Sequence, residues 1–276
     1  MEPSLPPGLY IVATPIGNLS DLSPRASETL RRADHILAED KRVTAKLLKY
    51  AGARAPMTVY HDHSSDEDRR RTLDMLASKA VALVSDAGTP LISDPGYKLV
   101  RAARAGGYSV FTIPGPCAAI AALTVAGLPT YRFLFAGFLP AKTKARRDAI
   151  GELGTVKASM VFYESGPRLA DSLADLASCL GPRDAAVVRE ISKLHEECVT
   201  GTLAELAERY ATAPPKGEIV IVVGPPPQRE ASEKDVDTAL RESLATLSPS
   251  RAAADVADRL GIPRKRVYAR ALELSR

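Results

Sequence analysis

The sequence predicts two α/β domains followed by a small helical domain. In the first half of the chain, short apolar runs rich in β-branched residues alternate with helical patterns, and the pattern changes near residues 127–140. Alternation of this kind is typical of a mostly parallel sheet with helices on both faces. The last part of the chain shows helical patterns alone. We therefore predict α/β domains at 8–128 and 129–226 and a helical domain at 232–276.

The elements of the first domain are marked by local start and stop signals. The opening strand, at 9–14, is a β-branched run closed by Pro15. Ser23 and Pro24 then stand at the N-cap and first position of a helix, where each is favoured. The further elements of this domain are a strand at 35–40, a helix ended by Gly52, a strand at 57–61, a helix with Ser65 and Asp68 at capping-box spacing, a strand at 81–85, a helix at 97–105 and a strand at 109–115.

The second domain shows similar signals. A basic segment at 142–147 is predicted as a loop. The elements after it are a strand at 158–165, a helix at 167–180, a strand at 184–192, a helix capped by Thr202 and Glu205, and a strand at 218–225. The Pro-rich stretch 225–235 is predicted as a linker to the tail.

The tail begins with a helix for which Ser232 and Asp235 have capping spacing, and it ends in two helices joined by a turn at Gly261. This pair resembles a helix-turn-helix, with a plain helical hairpin as the alternative. The last helix carries a basic cluster at 264–266. The Asn, Gln or Ser that often accompany Arg at base edges do not stand beside it. Contact with phosphates is therefore favoured over reading of duplex DNA.

Composition narrows the class of protein. A net charge of +4 over 276 residues permits an anionic partner without requiring one. Trp is missing and aromatic residues make up 5%, which argues against base stacking as the main binding device. Three widely spaced cysteines suit a reducing compartment. No stretch approaches the ~20 apolar residues of a membrane span, so we expect a cytoplasmic protein without a membrane partner.

The sequence requires no metal cofactor, and it leaves open whether a magnesium ion bound to a nucleic-acid partner assists. The four histidines and three cysteines do not combine at zinc-ligand spacing. The pair His61 and His63 offers half of a metal site, but an exposed loop pair is the favoured interpretation.

Four segments that follow predicted strands carry the candidate site. Ligands of open α/β sheets bind beyond the carboxyl ends of the strands, and these segments meet there. Their Gly and Pro residues make rigid loops that present backbone groups to a ligand. The segments are ATPIGNLSD at 13–21, AEDKR at 38–42, SDAGTPLISDPG at 85–96 and IPGPCAAI at 113–120.

The loops match neither of two common phosphate-binding patterns. There is no Walker-type triphosphate loop, and a dinucleotide fold would need Gly-x-Gly-x-x-Gly after the first strand, where Gly17 stands alone. A cationic or zwitterionic ligand held by backbone groups near Asp86 fits better. S-adenosylmethionine is such a ligand, and a sugar phosphate or nucleotide remains the alternative.

Several motifs together resemble the tetrapyrrole methylase superfamily and, within it, the branch that methylates small-subunit ribosomal RNA. The motifs are GLYIVATPIGNLSDLS, ILAEDKR, YHDHSS, ALVSDAGTPLISDPGYKLV, IPGPCAAIAAL and REISKLHEE. The resemblance covers residues 8–226, and the tail matches an extra domain of that branch. It implies S-adenosylmethionine-dependent 2′-O-methylation of a cytidine in the decoding region of small-subunit (16S) ribosomal RNA. It also implies a homodimer, with the cofactor between the two α/β domains of each chain.

The resemblance carries cofactor contacts onto matching positions. Thr89 stands where many relatives have Asp, and Asp86 supplies the acid instead. Cys117 stands where relatives often have Ser or Thr, and the interpretation of it as a small buried residue is favoured. The implied cofactor-binding residues are Pro15, Ile16, Asp86, Gly88, Ile92, Cys117, Ala118, Tyr163, Glu218, Ile219 and Val220.

The resemblance to this branch also implies catalytic residues. The branch usually reads Glu-Asp-Thr-Arg after its second strand, and here Lys41 replaces Thr. A 2′-hydroxyl is a poor nucleophile and benefits from a base, for which Glu39, Asp40 and His61 are the candidates. HDHSS replaces the usual HEHN, which leaves His61 and His63 as pocket candidates.

Basic residues are candidates for contact with the RNA. Arg42 and Arg168 are placed near the cleft by their motifs, and the tail adds its own cluster. The motif REISKLHEE lies either at the RNA or at the dimer contact. The implied RNA-binding residues are Arg42, Arg168, Arg264, Lys265 and Arg266.

Two other functions remain open on sequence alone. An enzyme of the same fold that methylates a tetrapyrrole or corrinoid carbon would call for an apolar trough rather than the basic segments at 41–54 and 142–147. A DNA-binding regulator whose α/β body senses a ligand would use the tail to read duplex DNA. The sequence also leaves open whether the substrate is naked RNA or an assembled subunit.

Overall fold

The computed structural model describes residues 4–61, 64–227 and 233–275. The chain forms two compact units, Met1–Pro226 and Pro227–Arg276. The predicted pocket residue His63 and the predicted helix cap Ser232 lie outside the described residues. Within the described ranges, no helix has the length and apolar character needed to cross a membrane.

The first sheet has five parallel strands in the order β3-β2-β4-β1-β5. Its strands and the associated helices are β1 (Gly8–Val12), α1 (Pro24–Arg32), β2 (His35–Ala38), α2 (Lys41–Ala51), β3 (Met57–Val59), α3 (Asp66–Leu76), β4 (Ala80–Val84), α4 (Tyr97–Ala105), β5 (Val110–Ile113) and α5 (Ala118–Val125). Successive side chains of a strand point to opposite faces. Tyr10 and Val12 accordingly pack with α1 and α2, while Leu9 packs with α3 and α4 on the other face.

The predicted helix signals of this sheet are confirmed. Ser23 accepts a hydrogen bond from the backbone N–H of Ala26, and Pro24 opens α1. Ser65 and Asp68 form the capping box of α3. Gly52 ends α2 in the left-handed conformation, with φ 70°.

The second sheet has the order β6-β7-β10-β8-β9, in which β6 pairs with β7 in parallel and the other pairs are antiparallel. Its elements are β6 (Phe133–Phe138), α6 (Thr143–Glu152), β7 (Ser159–Ser165), α7 (Gly166–Leu180), β8 (Asp184–Arg189), β9 (Glu197–Thr202), α8 (Leu203–Thr212) and β10 (Glu218–Val223). Helices α7 and α8 pack on one face of this sheet, and α5 packs on the other. The domain boundary predicted at residue 128, which stays a prediction, falls between α5 and β6.

Residues 143–147 of the basic segment belong to α6, with Lys142 at its N-cap, and the prediction of this segment as a loop is wrong. Arg146 is 4% exposed, and its Nε lies 2.7 Å from Oδ2 of Asp175 on α7. Arg147 binds the second oxygen of the same carboxylate at 2.6 Å. These pairs anchor α6 to α7, because a buried charge that loses its partner costs about 3–5 kcal/mol. The positive charge of this segment is thus partly used inside the domain.

The tail contains α9 (Glu233–Leu244), α10 (Pro249–Leu260) and α11 (Arg264–Leu274) around a core that includes Leu240, Val256 and Val267. Gly261 ends α10 in the left-handed conformation, with φ 67°. The predicted pair of helices joined by a glycine turn is confirmed.

Candidate active site

The long turn at 85–96 is bonded to the loop that follows β1. The backbone N–H of Thr14 donates to the carbonyl of Gly88 at 2.8 Å, and the N–H of Gly88 donates to the carbonyl of Thr14 at 3.1 Å. Gly88 has φ 81°, in the left-handed region that glycine tolerates without strain. Gly88 is therefore needed for the pairing of two loops at the carboxyl edge of the first sheet.

The same turn is bonded to the two other loops at this edge. The Thr89 hydroxyl donates to the carbonyl of Pro116 at 2.9 Å. The carboxylate of Asp86 accepts the backbone N–H of Asp40 at 3.0 Å. The turn thus connects all four segments that the sequence singles out, and it sets their relative positions.

The second half of the turn has unusual backbone angles. Leu91 has φ 73° and Ser93 has φ 65°, although neither is glycine. Such conformations cost about 1–3 kcal/mol each and persist where the surrounding structure holds them. Between and after them, Ile92 and Asp94 line a cavity.

The cavity has a volume of about 370 Å³ and is lined by residues of both sheets and their loops. This size is within the ~300–1,000 Å³ that is usual for small-molecule pockets. Pro15 is not among the lining residues, although its neighbour Ile16 is. The other predicted cofactor residues on the wall are Asp86, Gly88, Ile92, Cys117, Ala118, Tyr163, Glu218, Ile219 and Val220.

Tyr163 forms much of the wall from the second sheet. It pairs with Val220 across β7 and β10, and its ring meets that of Phe138 edge-on with centroids 5.5 Å apart. The Tyr163 hydroxyl accepts the backbone N–H of Ala119 at 3.3 Å. Burial raises the pKa of Tyr163, so that it remains a neutral phenol at physiological pH. Tyr163 therefore fixes the start of α5 against the second sheet.

The connection between β8 and β9 covers one side of the cavity. Lys193 binds Glu190 at 2.9 Å and Glu218 at 3.0 Å. Gly17 of the first loop packs so closely on the Lys193 side chain that a Cβ would not fit there. Ile191 lines the cavity. Glu190 and Lys193 of the REISKLHEE motif thus make contacts within the chain.

Glu39, Asp86 and Asp94 line the cavity close enough for their charges to interact, and we call this region the acidic end of the cavity. The pKa of Asp94 is raised to about 6, chiefly by burial, while a hydrogen bond from Ser85 lowers it and the negative charges of Glu39 and Asp86 raise it. Burial also raises the pKa of Asp86. In the described part of the chain, no three His, Cys, Asp or Glu side chains are grouped as metal ligands would be.

Asp94 was not identified by sequence reasoning. The SDPG stretch that contains it looks like an ordinary turn, and Asp86 drew attention because it follows the strand directly. The signal that was available is the presence of two acids in one turn at the carboxyl edge of the sheet.

Asp40 and His61 are placed differently from Glu39. Asp40 is the N-cap of α2, where it accepts the backbone N–H of Arg42 at 2.7 Å and binds the Arg42 guanidinium at 2.7 Å. Hydrogen bonds from Arg42 hold the pKa of Asp40 at about 2. His61 is exposed, and its backbone N–H donates to the Ser64 hydroxyl at 2.9 Å. Among the three predicted bases, Glu39 is the one on the cavity wall.

Arg168 makes contacts within its own domain. Its Nη2 donates to the carbonyl of Leu139 at 2.5 Å, and its Nε lies 3.4 Å from Oε1 of Glu164. Glu164 is buried and also accepts the Ser172 hydroxyl at 2.6 Å. By contrast, the Arg42 side chain is 91% exposed. The two predicted RNA-binding arginines therefore differ in accessibility.

The basic cluster of the tail lies in the first turn of α11. Arg264, Lys265 and Arg266 are exposed, and Arg264 donates to the carbonyl and hydroxyl of Ser250 at 3.3 and 3.1 Å. Cations are disfavoured at a helix N-terminus because the helix dipole places positive charge there. Three of them in this position form a concentrated positive surface on the tail.

Residues 8–207 match the family described as tetrapyrrole (corrin/porphyrin) methylases. The chain belongs to this family. Residues 230–275 of this methylase match the RsmI C-terminal HTH domain. The resemblance inferred from the motifs is thereby confirmed, as is the predicted fold class of an α/β methylase with a helical extension.

The methylase is similar over its whole length to curated proteins called ribosomal RNA small subunit methyltransferase I. The protein of that name from Erythrobacter litoralis (strain HTCC2594) is 56% identical, with 98% of this chain and 96% of the relative covered. The one from Mesorhizobium japonicum is 47% identical, with 98% and 93% covered. The one from Escherichia coli O157:H7 is 44% identical, with 96% and 94% covered.

Solved structures share the fold of this methylase at low sequence identity. Diphthine synthase superposes with a TM-score of 0.62 at 17% identity, covering 85% of this chain and 94% of that one. Uroporphyrin-III C-methyl transferase from Thermus thermophilus, complexed with S-adenyl homocysteine, gives a TM-score of 0.54 at 22% identity, covering 79% and 97%. At such identities the likeness concerns the fold.

Proposed function

We propose that this methylase transfers a methyl group from S-adenosylmethionine to the ribose 2′-oxygen of a cytidine in the decoding region of small-subunit (16S) ribosomal RNA. The observation that carries the proposal is the cavity between the two sheets, which is lined by apolar side chains and by the carboxylates of Glu39, Asp86 and Asp94. The names of full-length relatives support ribosomal RNA as the substrate class. The geometry of the described residues supports S-adenosylmethionine as the cofactor and methyl transfer as the reaction.

The cavity suits the cofactor in two respects. Ile16, Ile92 and Ile219 offer apolar surface to an adenosine, and the loops beside them present backbone groups. The carboxylates of Glu39, Asp86 and Asp94 in the same lining favour a cation. When bound, S-adenosylmethionine supplies a methyl group on a positively charged sulfur. The residues of the chain then have to align the ribose and accept a proton.

The proton of the 2′-hydroxyl passes to a carboxylate at the acidic end of the cavity. Holding the reacting groups in line supplies a large part of the acceleration in such a displacement. A positioned base adds about 10²–10⁴-fold. Of the three bases that the sequence proposes, Glu39 lies on the wall, whereas Asp40 is bound to Arg42 and His61 lies outside the lining.

The RNA is held by exposed cations. Arg264, Lys265 and Arg266 on the tail and Arg42 beside the acidic end are exposed and suited to phosphate oxygens. Arg168 orders the second domain through Leu139. Because Arg168 is engaged in this contact, we expect it to contribute less to RNA binding than the exposed cations.

The enzyme acts as a homodimer. Exposed apolar residues support this, since Ile120 and Val125 on α5 and Phe133 on the edge strand β6 are 44–47% exposed. Large apolar side chains at a surface are favoured at contacts between subunits. Sedimentation at several protein concentrations tests the state, and a monomer at all of them contradicts it.

Mass spectrometry of small-subunit ribosomal RNA nucleosides, from cells with and without this gene, tests the proposed function. We expect loss of one 2′-O-methylcytidine, restored by the gene in trans. Purified enzyme is then offered naked RNA, assembled subunits and uroporphyrinogen in parallel. Methylation of the uroporphyrinogen alone, or sequence-specific binding of duplex DNA without methylation of RNA, would overturn the proposal.

A further inference from the structure

We propose that Asp94 is the carboxylate that accepts the proton of the ribose 2′-hydroxyl during methyl transfer. The inference rests on the proposed function and names a residue for its chemical step. Glu39 then has a supporting role, because its negative charge makes Asp94 more basic.

The position of Asp94 is set by the surrounding fold. The residue before it, Ser93, has φ 65° and packs against Gly137, at which a Cβ would lie 3.1 Å from the Ser93 hydroxyl. Two residues after it, Gly96 has φ 132° and leaves no room for a Cβ beside Leu83. The turn is thus held between β4 of the first sheet and β6 of the second. The Asp94 carboxylate therefore lines the cavity from a backbone whose conformation is restricted.

The groups that face Asp94 come from both sheets. Glu39 follows β2, Asp86 lies in the same turn, and Tyr163 and Cys117 line the cavity from β7 and the start of α5. The two carboxylates repel a negative charge on Asp94, and the uncharged phenol does not compensate for it. A carboxylate in such surroundings is more basic than one in water.

The basicity of Asp94 suits a general base that works near neutral pH. Its pKa of about 6 leaves it ionised at neutral pH, yet makes it a stronger base than an ordinary aspartate. Asp40 has a pKa of about 2 because Arg42 binds it, which makes it a weak proton acceptor. Asp86 accepts the backbone N–H of Asp40 and Asp94 accepts a hydrogen bond from Ser85; the pKa of both is raised, and that of Asp94 reaches about 6. Among the aspartates at this end of the cavity, Asp94 therefore combines position with basicity.

The 2′-oxygen forms a bond to the methyl carbon while the carbon–sulfur bond breaks, and the electron pair of that bond passes to sulfur, which becomes a neutral thioether. The hydroxyl proton moves to an oxygen of Asp94. Asp94 then returns the proton to water, which is favourable above pH 6. No oxidant or further reactant is needed.

Single-turnover methylation of unmodified small ribosomal subunits by the full-length protein tests the assignment. We expect Asp94→Asn to lower the rate at pH 7.5 by at least ~10²-fold. Its affinity for S-adenosylmethionine, measured by calorimetry, should stay within a few fold. The wild-type rate should rise through pH 6, and the residual rate of the variant should lack that rise. Asp74→Asn, an exposed aspartate on α3, is the matched control and should match the wild type.

Asp94→Glu keeps the test decisive if the asparagine variant does not fold. This variant retains a carboxylate, and we expect part of the rate to survive with a displaced rise in the pH profile. A rate of Asp94→Asn near that of the wild type, or an unchanged pH profile in Asp94→Glu, overturns the assignment. If the wild type itself does not methylate the subunit, the proposed function fails instead. The two failures are therefore distinguishable.

Discussion

Gly88 and Thr14 form a two-bond backbone bridge between the turn after β4 and the loop after β1. The bridge depends on a left-handed residue at 88, because the carbonyl and the N–H of Gly88 both face Thr14 at φ 81°. A long turn between a strand and a helix is thereby explained. It holds the other loops of the sheet edge together and forms a wall of the cavity.

Gly88→Val should weaken binding of S-adenosylmethionine while the protein stays folded. A Cβ at this position would lie 3.2 Å from Cγ2 of Ile16, which lines the cavity. The positive φ adds about 1–3 kcal/mol of strain. If ~1.4 kcal/mol of this appears in binding, the dissociation constant rises about tenfold. Calorimetric titration measures it.

Gly107→Val is the matched control for this prediction. Gly107 has φ 74°, and a Cβ there meets nothing within 4 Å. The substitution therefore brings the backbone strain without the crowding of the cavity wall. It should lower thermal stability and leave the affinity unchanged. Wild-type affinity in a folded Gly88→Val variant would show that the turn is not part of the cofactor site.

The tail should contribute affinity for the ribosomal subunit through charge. Replacing Arg264, Lys265 and Arg266 by Ala should weaken subunit binding at low salt and leave cofactor affinity intact. The loss should shrink as salt rises, because phosphate contacts release counterions that salt replaces. Removal of residues 232–276 should have the same signature. Filter binding over a range of salt concentrations measures both.

Arg241→Ala removes an exposed arginine from α9, outside the cluster, and is the control for the tail. It should have little effect on subunit affinity. Equal affinity of the triple variant and the wild type at low salt would mean that the tail does not hold RNA.

The helix caps that local sequence signals predict are present in the structure. Ser23, Ser65 and Thr202 cap helices as expected, because a cap depends on residues three positions apart. Strands β6 and β9 were not predicted. Gly137 has φ 66° and interrupts β6 at a bulge, and β9 is an edge strand of mixed polarity.

Properties that depend on residues far apart in the chain could not be predicted from the sequence. Helix α6 looks like a basic loop until Asp175 is seen to bind Arg146 from another helix. The predicted cofactor residues came from the family resemblance, and they stay predictions although nearly all of them line the cavity. The basicity of Asp94 arises from burial and from Glu39, which is far away in sequence.

Asp94→Asn should stabilise the folded protein at pH 8. The pKa of Asp94 is raised from 3.8 to about 6 in the folded state, chiefly by burial. The folded state then binds this proton more tightly than the unfolded state, so the contribution to stability is lost as the pH rises from about 4 to 6 and stays lost above. Solvent screening limits the effect to on the order of 1 kcal/mol.

Urea denaturation at pH 8 and at pH 4 measures this difference. The free energy of unfolding of the Asn variant should exceed that of the wild type at pH 8, and the two should converge at pH 4. A variant that is less stable than the wild type at pH 8 would show that the Asp94 carboxylate is stabilised by its surroundings.

Glu39→Gln should shift the pH dependence of methylation without removing it. The negative charge of Glu39 raises the pKa of Asp94, and its loss lowers that pKa. The rise in single-turnover rate should therefore move to lower pH. At pH 8 the rate should fall less than in Asp94→Asn, since a less basic carboxylate is still present. If Glu39→Gln instead lowers the rate at least ~10²-fold at every pH while Asp94→Asn does not, Glu39 is the base.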